Sequence, residues 1–388
     1  MPIMSLDTAA LDAILTNAVA TGAAPALAAI VVNRDGVLYS GAVGVEPNTI
    51  FRYASCTKAI ASMAALQLVE QGRISLDDEV ATHLPEFGKV QVLDGYVDGQ
   101  PVLRMPNRPP VVRELLNHTS GAEYFFTNAD IRTFHEVTGT PTVLSGEKAA
   151  VTEVPLGRDP GTLWAYGTST DWVGLLVEQV SGQSLDEYVA EHVAGPLGMT
   201  DFTFHPTDEQ AARVMPLYAR TPDGGLVEFS LELPAEPEWW AAGHGSYGTA
   251  DSYGRFMQAL LRGGELDGAR ILNEDTVALA FTDSLNGVPM PDDGIPSASP
   301  ELSNDVPPYP YAEGWGLGFH LTQEDIPGAR KAGTGDWAGL FNLYYFIDRS
   351  SGVAAMLLTQ VLPFFDLPVV ETWMQLEAAI YAGLSDQA

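Results

Sequence analysis

Runs with strand character sit at the two ends of the chain, and helical patterns fill most of the space between. "ALAAIVVNRDGVLYSGAVG" (26–44) sets two apolar runs around the turn signal Asn33-Arg34-Asp35-Gly36, which predicts a β-hairpin. "NLYYFIDRSSGVAAMLLTQVL" (342–362) reads as strand, a turn at Ser350-Ser351-Gly352, and strand, with a closing helix over about 369–382. Apolar strands must pair to satisfy their backbones. The arrangement therefore predicts one antiparallel sheet built from both chain ends, with a mostly helical region inserted between them. The expected class is α+β, an α/β sandwich. The sheet domain takes residues 1–75 and 235–388, and the helical domain with its loops takes 76–234.

The inserted pattern has its own punctuation. Helices are expected from the N-terminal segment "MPIMSLDTAALDAILTNAVATG", from about Ser55 to Gln71 with Gly72 as the stop, within 111–124, and over 169–182, 184–199 and 249–264. Ser75 reads as the N-cap of a short acidic helix start. Residues 91–112 read as a loop. Residues 285–310 carry seven prolines and form a long loop, either a lid or a surface excursion.

With 388 residues, 46% of them hydrophobic, the chain can bury a large core. Its net charge of −31 repels phosphate backbones, so no nucleic-acid partner is expected. One cysteine, Cys56, excludes an internal disulfide and a multi-cysteine metal site. It reads as a small core filler beside Ser55. The N-terminus lacks a basic head followed by an apolar run, and no stretch approaches the roughly 20 apolar residues of a membrane span. No membrane partner and a cytoplasmic location are expected.

The chain has four lysines, and one of them, Lys58, follows Ser55 by three residues at the head of an apolar helix. That spacing puts both side chains on one face. Ile60, Met63, Leu66 and Val69 would bury the helix and fix them. A serine hydroxyl becomes a nucleophile only when a base takes its proton; a lysine can be that base only when neutral, a state that burial in an apolar wall favours, and free N–H groups at a helix start suit a developing oxyanion. Ser145 and Lys148 share the spacing but lie in the polar, turn-like "LSGEK", where Glu147 would keep the lysine charged and solvated. They are not expected to be a site. There is no Gly-x-Ser-x-Gly elbow, no pair of histidines four apart and no dinucleotide fingerprint. No metal and no cofactor are expected. His118 is expected to buttress its helix, His244 to line the site, and Trp239 and Trp240 to pack in the core or face an acyl pocket.

Four segments together resemble one superfamily. They are "FRYASCTKAIASMAALQLVEQGRISLDDEVATHLPEF" (51–87), "VRELLNHTSGAEYF" (112–125), "PGTLWAYGTSTDWVGLLVEQVSGQSLDEYVAEHVAGPLGMTDFTF" (160–204) and "GHGSYGTADSYGRF" (243–256). They are similar to the landmarks of the class C β-lactamase and penicillin-binding-protein-like serine hydrolases, in particular the family VIII carboxylesterases. The resemblance implies the serine β-lactamase fold, with Ser55 as nucleophile, Lys58 as its partner, and Tyr166 taking the Ser55 proton and returning it to the leaving alcohol. The Asn of the family's Tyr-x-Asn motif is replaced by Thr168, which removes the group that reads a β-lactam amide. The third motif has two registers. Lys331-Ala332-Gly333 resembles Lys-Thr-Gly, and Trp337-Ala338-Gly339 resembles the Trp-x-Gly of family VIII esterases. The tryptophan register is favoured, since a strand follows it at the expected distance. It implies an apolar wall where β-lactamases hold a cation, and backbone N–H groups of Ser55 and Leu340 as oxyanion donors.

The expected activity is hydrolysis of small aryl or short-chain esters through an acyl-enzyme on Ser55. Acyl transfer to an alcohol is the alternative, because "YGTSTDWVG" and "WAGLFNLYYFIDRSSGV" also resemble fungal polyketide acyltransferases of this superfamily. A β-lactamase or D-Ala-D-Ala peptidase is a third, weaker reading.

Overall fold

The computed structural model describes residues 6–231, 233–234 and 236–385. Its largest sheet has seven strands, all pairing antiparallel: β1 (Leu27–Asn33), β2 (Val37–Val43), β3 (Glu313–Trp315), β4 (His320–Thr322), β5 (Gly335–Gly339), β6 (Leu343–Asp348) and β7 (Val353–Leu358). The spatial order is β3-β4-β5-β6-β7-β1-β2, so the hairpin of the first fifty residues adds directly onto the last strand of the C-terminal meander. Ile30 pairs with Met356 across that seam. The β1–β2 turn is held by the Asn33 side chain, which accepts from the N–H groups of Asp35 and Gly36.

Both faces of the sheet are covered, which is why β1 is buried at every position. Leu27, Ala29 and Val31 face one apolar layer with Leu11, Leu15, Trp373 and Leu376 of α1 (Thr8–Ala20) and the C-terminal helix Leu367–Ser385. Ala28, Ile30 and Val32 face the other, with Ile60, Met63, Phe256 and Met257 of α2 (Thr57–Glu70) and the helix Ala250–Leu261. Successive residues point to opposite faces, so one slip of register would turn every apolar side chain to the wrong layer.

Several sequence expectations are corrected by the structure. Residues 91–112 are not all loop: Val92–Val97 and Gln100–Arg104 form a hairpin. Its two-residue turn is Asp98-Gly99, with φ of +51° and +76°, the geometry an Asp-Gly pair favours. Ser75 caps no helix. Its hydroxyl accepts from the Asp77 N–H in a turn, and the next helix begins at Val80. The helix expected over 184–199 is α-helical only at Leu185–Val189, then widens into a π-turn over Ala190–Ala194. Pro196 offers no N–H to continue it. The helix within 111–124 is confined to Val112–Leu116. The inserted region also holds strands, Leu217–Arg220 and Leu226–Phe229. The first five residues of the expected N-terminal helix lie outside those described. Among the described residues, no helix is long and apolar enough to cross a membrane.

Candidate active site

Ser55 lies in a short 3₁₀ turn, Ala54–Cys56, that feeds straight into α2. Lys58 is the second residue of α2, so the two side chains sit one turn apart on a helix that is buried almost throughout. Ala54 has φ +46°, in the left-handed region, at a cost of about 1–2 kcal/mol for a residue with a Cβ. That bend carries the chain from the strand pair at Phe51–Arg52 into the turn at Ser55.

The Lys58 ammonium is 2% exposed and donates to three acceptors: the Tyr124 hydroxyl at 2.9 Å, the Gly243 carbonyl at 2.7 Å and Ser55 Oγ at 3.3 Å. Three acceptors match the three N–H donors of an ammonium group. The hydroxyl of Tyr124 then donates to Asp171 Oδ2 (3.3 Å), and Asp171 Oδ1 accepts from the Gly243 N–H (2.8 Å). The chain of contacts closes into a ring, from lysine to tyrosine to carboxylate to the same residue whose carbonyl receives the lysine. Burial, then the Asp171 charge, pushes the Tyr124 phenol well above its ordinary value, so it keeps its proton and serves as a donor to Asp171. Sequence reading missed Tyr124 and Asp171. The signal was present, since both lie inside segments quoted for the resemblance, but nothing in spacing ties them to a lysine 66 residues away from one of them.

Tyr166 stands on the other side of Lys58, whose Nζ is 4.8 Å from the centre of its ring. The Tyr166 hydroxyl accepts from the indole N–H of Trp337 on β5 at 3.2 Å. Trp164 and Trp337 pack against its ring, and Trp315 packs against both of those tryptophans. His118 sits beneath, 5.3 Å from the Tyr166 ring centre, and burial together with the Lys58 charge holds its imidazole well below the usual histidine range. It is a neutral packing group beside the lysine.

Trp337, Ala338, Gly339 and Leu340 line a cleft of about 780 Å³ together with Ser55 and Tyr166. Lys331 does not. Its side chain is about half exposed and pairs with Asp325 at 3.1 Å. Gly339 explains the close approach: a Cβ there would come within 2.5 Å of the Tyr53 carbonyl, so only glycine lets β5 lie against the turn that carries Ser55. A second cavity, of about 530 Å³, also borders Ser55 and is lined by Arg52, Tyr124, Val143, Leu144, Leu231, Leu233, His244 and Phe341 among others. Ser55, Phe126 and Leu340 border both cavities. His244 is partly buried, 3.9 Å from Asp171, and its pKa is lowered chiefly by desolvation. Thr168 is buried at the start of the helix Ser169–Ser181 and lines neither cavity.

The remaining candidates fall outside the site. Ser145 Oγ accepts from the Glu147 N–H, and Lys148 lies 3.6 Å from Glu86 on the surface. Trp239 is buried with its N–H donating to the Glu147 carbonyl. Cys56 is fully buried, and burial pushes its thiol far up, so it is no nucleophile. Among the described residues, no group of three or more His, Cys, Asp and Glu side chains is arranged to hold a metal.

The sequence profile of the Beta-lactamase family matches residues 11–379. The chain belongs to that family. Among curated relatives of this β-lactamase-family protein is the monacolin J acid methylbutanoyltransferase of Aspergillus terreus, 32% identical over 352 residues that span 87% of this chain and 83% of the relative. The lovastatin esterase of Penicillium rubens is 31% identical, covering 78% of this chain and 77% of that protein. The solved structure of unliganded simvastatin synthase (LovD) from Aspergillus terreus superposes with a TM-score of 0.84 at 26% identity, covering 97% and 99% of the two chains. The mixed fold with its large antiparallel sheet agrees with that structure.

Proposed function

We propose that this protein is a serine carboxylesterase that works through an acyl-enzyme on Ser55. The observation that carries the reading is the contact set of one buried lysine, Lys58, which touches Ser55 Oγ, holds Tyr124 and lies against the ring of Tyr166. Ser55 Oγ attacks the ester carbonyl while Tyr166 accepts its proton. Tyr166 enters this step as the phenolate, whose charge the Lys58 ammonium and the Trp337 N–H stabilise until the proton arrives. The backbone N–H groups of Ser55 and Leu340 receive the carbonyl oxygen as it becomes an oxyanion. Tyr166 returns the proton to the departing alcohol, then takes one from the water that releases the acid. The Tyr124–Asp171–Gly243 ring holds Lys58 in place throughout.

The two cavities divide the substrate. The alcohol oxygen must meet Tyr166, and Tyr166 borders only the larger of the two. We assign that cleft, with its tryptophans and phenylalanines, to the alcohol and the smaller leucine- and valine-lined cavity to a short acyl chain. This assignment supports a second reading, transfer of the acyl group to a bulky apolar alcohol that enters the larger cleft in place of water. One relative is named an esterase and another a methylbutanoyltransferase, which fits one acyl-enzyme with two acceptors.

A single assay tests both. p-Nitrophenyl esters of rising acyl length are turned over with and without a bulky aryl alcohol, and acid and new ester are counted separately. Esterase chemistry predicts acid as the main product and a fall in rate with acyl length. New ester in excess of acid at millimolar alcohol moves the protein to the transferase reading. Nitrocefin turnover at the rate of the esters overturns both.

A further inference from the structure

Behind Trp337 lies a cluster of buried charge that the ester chemistry does not use. His320 on β4 is about 1% exposed, and both ring nitrogens face carboxylates: Nδ1 is 3.0 Å from Asp336 Oδ1 on β5, and Nε2 is 3.0 Å from Glu313 Oε2 on β3. A carboxylate only accepts, so both contacts are hydrogen bonds only when both nitrogens carry protons. Asp336 also accepts from Arg330, which pairs on its other side with Glu377 of the C-terminal helix at 2.7 Å. The phenol of Tyr311 lies in the field of Asp336, Arg330 and Glu377. Above the imidazole, Tyr309 stacks with ring centres 4.5 Å apart and 18° between planes. Tyr309 belongs to the proline-rich segment, is 38% exposed, and lines the larger cleft together with Ile295, Val306 and Trp337.

We propose that the doubly protonated His320 is a positioning residue: clamped between β3 and β5, it forms the cationic floor on which Tyr309 stacks, and so fixes the wall of the larger cleft against a bulky alcohol. Trp337 is held by β6 through its pairing with Tyr345, so its indole does not depend on the clamp. Among the described residues the Tyr309 hydroxyl has no hydrogen-bond partner, so the ring stack is the contact that ties this part of the proline-rich segment to the sheet. Loss of one His320 proton would break one of the two carboxylate contacts and weaken the cation–π stack together. Burial disfavours the charged imidazole, but the two carboxylates outweigh it and raise His320 to about 9, which places that loss in an accessible range.

This inference rests on the assignment of the larger cleft to the alcohol, and the experiment separates the two. Two esters of one short acid are compared, one of 2-naphthol and one of ethanol, with kcat and KM measured from pH 6 to 10. In the wild type, KM for the naphthyl ester should rise above pH 9, while KM for the ethyl ester stays flat. His320→Asn should raise KM for the naphthyl ester about tenfold at pH 7, as loss of roughly one charged hydrogen bond would, and abolish its pH dependence. Its kcat, and both constants for the ethyl ester, should stay within about twofold. If His320→Asn fails to fold, Glu313→Gln keeps the packing and should move the alkaline rise to lower pH. Equal losses on both esters, or a flat wild-type KM, overturn the clamp. Binding of 2-methoxynaphthalene, which has no hydroxyl to ionise, to Ser55→Ala protein, followed by tryptophan fluorescence, does not need turnover. Weaker binding above pH 9, found together with a wild type that hydrolyses neither ester, keeps the clamp and rejects the esterase reading. Binding that ignores pH and His320→Asn rejects the clamp whatever the turnover.

Discussion

The indole N–H of Trp337 donates to the hydroxyl of Tyr166 across 3.2 Å, and so joins the third-motif strand to the phenol of the second motif. By sequence alone Trp337 is only an apolar wall. On the proposed mechanism the contact adds a polar role, because the indole N–H steadies the Tyr166 oxygen while it lacks a proton. Trp337→Phe keeps an aromatic ring and loses the N–H. It should lower kcat for p-nitrophenyl esters about tenfold with little change in KM, the mark of an interaction made mainly in the transition state. Lys331→Ala, on the surface with Asp325, should stay within about twofold. Nitrocefin turnover that disappears in Lys331→Ala would restore the lysine register.

Ser55→Ala should abolish hydrolysis, whereas Ser145→Ala should leave it near normal. The two serines share a spacing to lysine and differ in everything else. Ser55 is 8% exposed and touches a buried ammonium, while Ser145 holds a surface turn. Labelling by a fluorophosphonate reads the same distinction without a substrate. Cys56→Ser should retain turnover, since its thiol is enclosed in the core. A Ser145→Ala protein that alone loses labelling would reverse the assignment.

The ring around Lys58 makes a graded prediction. Lys58→Ala and Tyr166→Phe should each cost roughly 100-fold or more in kcat, because each removes a partner in proton transfer. Tyr124→Phe should cost less, about tenfold, because the Gly243 carbonyl still holds the ammonium. Asp171→Asn keeps the size and hydrogen-bonding capacity of the side chain and removes its charge. Its effect should be no larger than that of Tyr124→Phe. If Tyr124→Phe equals Tyr166→Phe in kcat, the two phenols share the proton and the division of roles between them fails. Matched circular dichroism spectra are needed for each variant, since every one of these groups is at least partly buried.

Much of the fold was legible because strand signals were local. The strands at 27–33, 343–348 and 353–358 are apolar almost throughout and buried on both faces, and the turns after them are dictated by their own residues, so the pattern survives without knowledge of partners. Ser55, Lys58, Tyr166 and Trp337 were likewise marked by motif. What was not legible depends on contacts between distant segments. Tyr124 and Asp171 are ordinary residues in their own helices and loops, and acquire a function only when α2 and the Gly243 turn close around them. His320 reads as a lone histidine until the short strands on either side bring Glu313 and Asp336 to its two nitrogens. The Asp98-Gly99 hairpin was a local signal overlooked amid prolines and glycines. The helix over 184–199 shows the opposite case: a good apolar period is α-helical only to Val189 and runs on as a π-turn to Ala194, just ahead of Pro196.

The clamp also predicts how stability depends on pH. His320 is raised to about 9 in the folded protein, against 6.5 when free. Below the free value the imidazole is charged in both states, and the whole of its favourable interaction with Asp336 and Glu313 is present. Between the two values, unfolding releases the proton, so each rise in pH removes stability. Above about 9 the folded protein has lost the proton too and the contribution is gone. The shift corresponds to something on the order of 3 kcal/mol for this fully buried group. Asp336 acts in the opposite direction. Burial works to raise its carboxyl, but His320 and Arg330 hold it low, so its contribution is present at neutral pH and fades as pH falls through its folded value. Urea midpoints at pH 6.5, 8 and 9.5 should therefore decline for the wild type, and decline less for His320→Gln, which has no proton to lose. Other groups titrate over the same range in both proteins, so the difference between the two curves isolates His320. Parallel curves would mean that the imidazole is neutral at pH 6.5 and that only one of its two carboxylate contacts is a hydrogen bond.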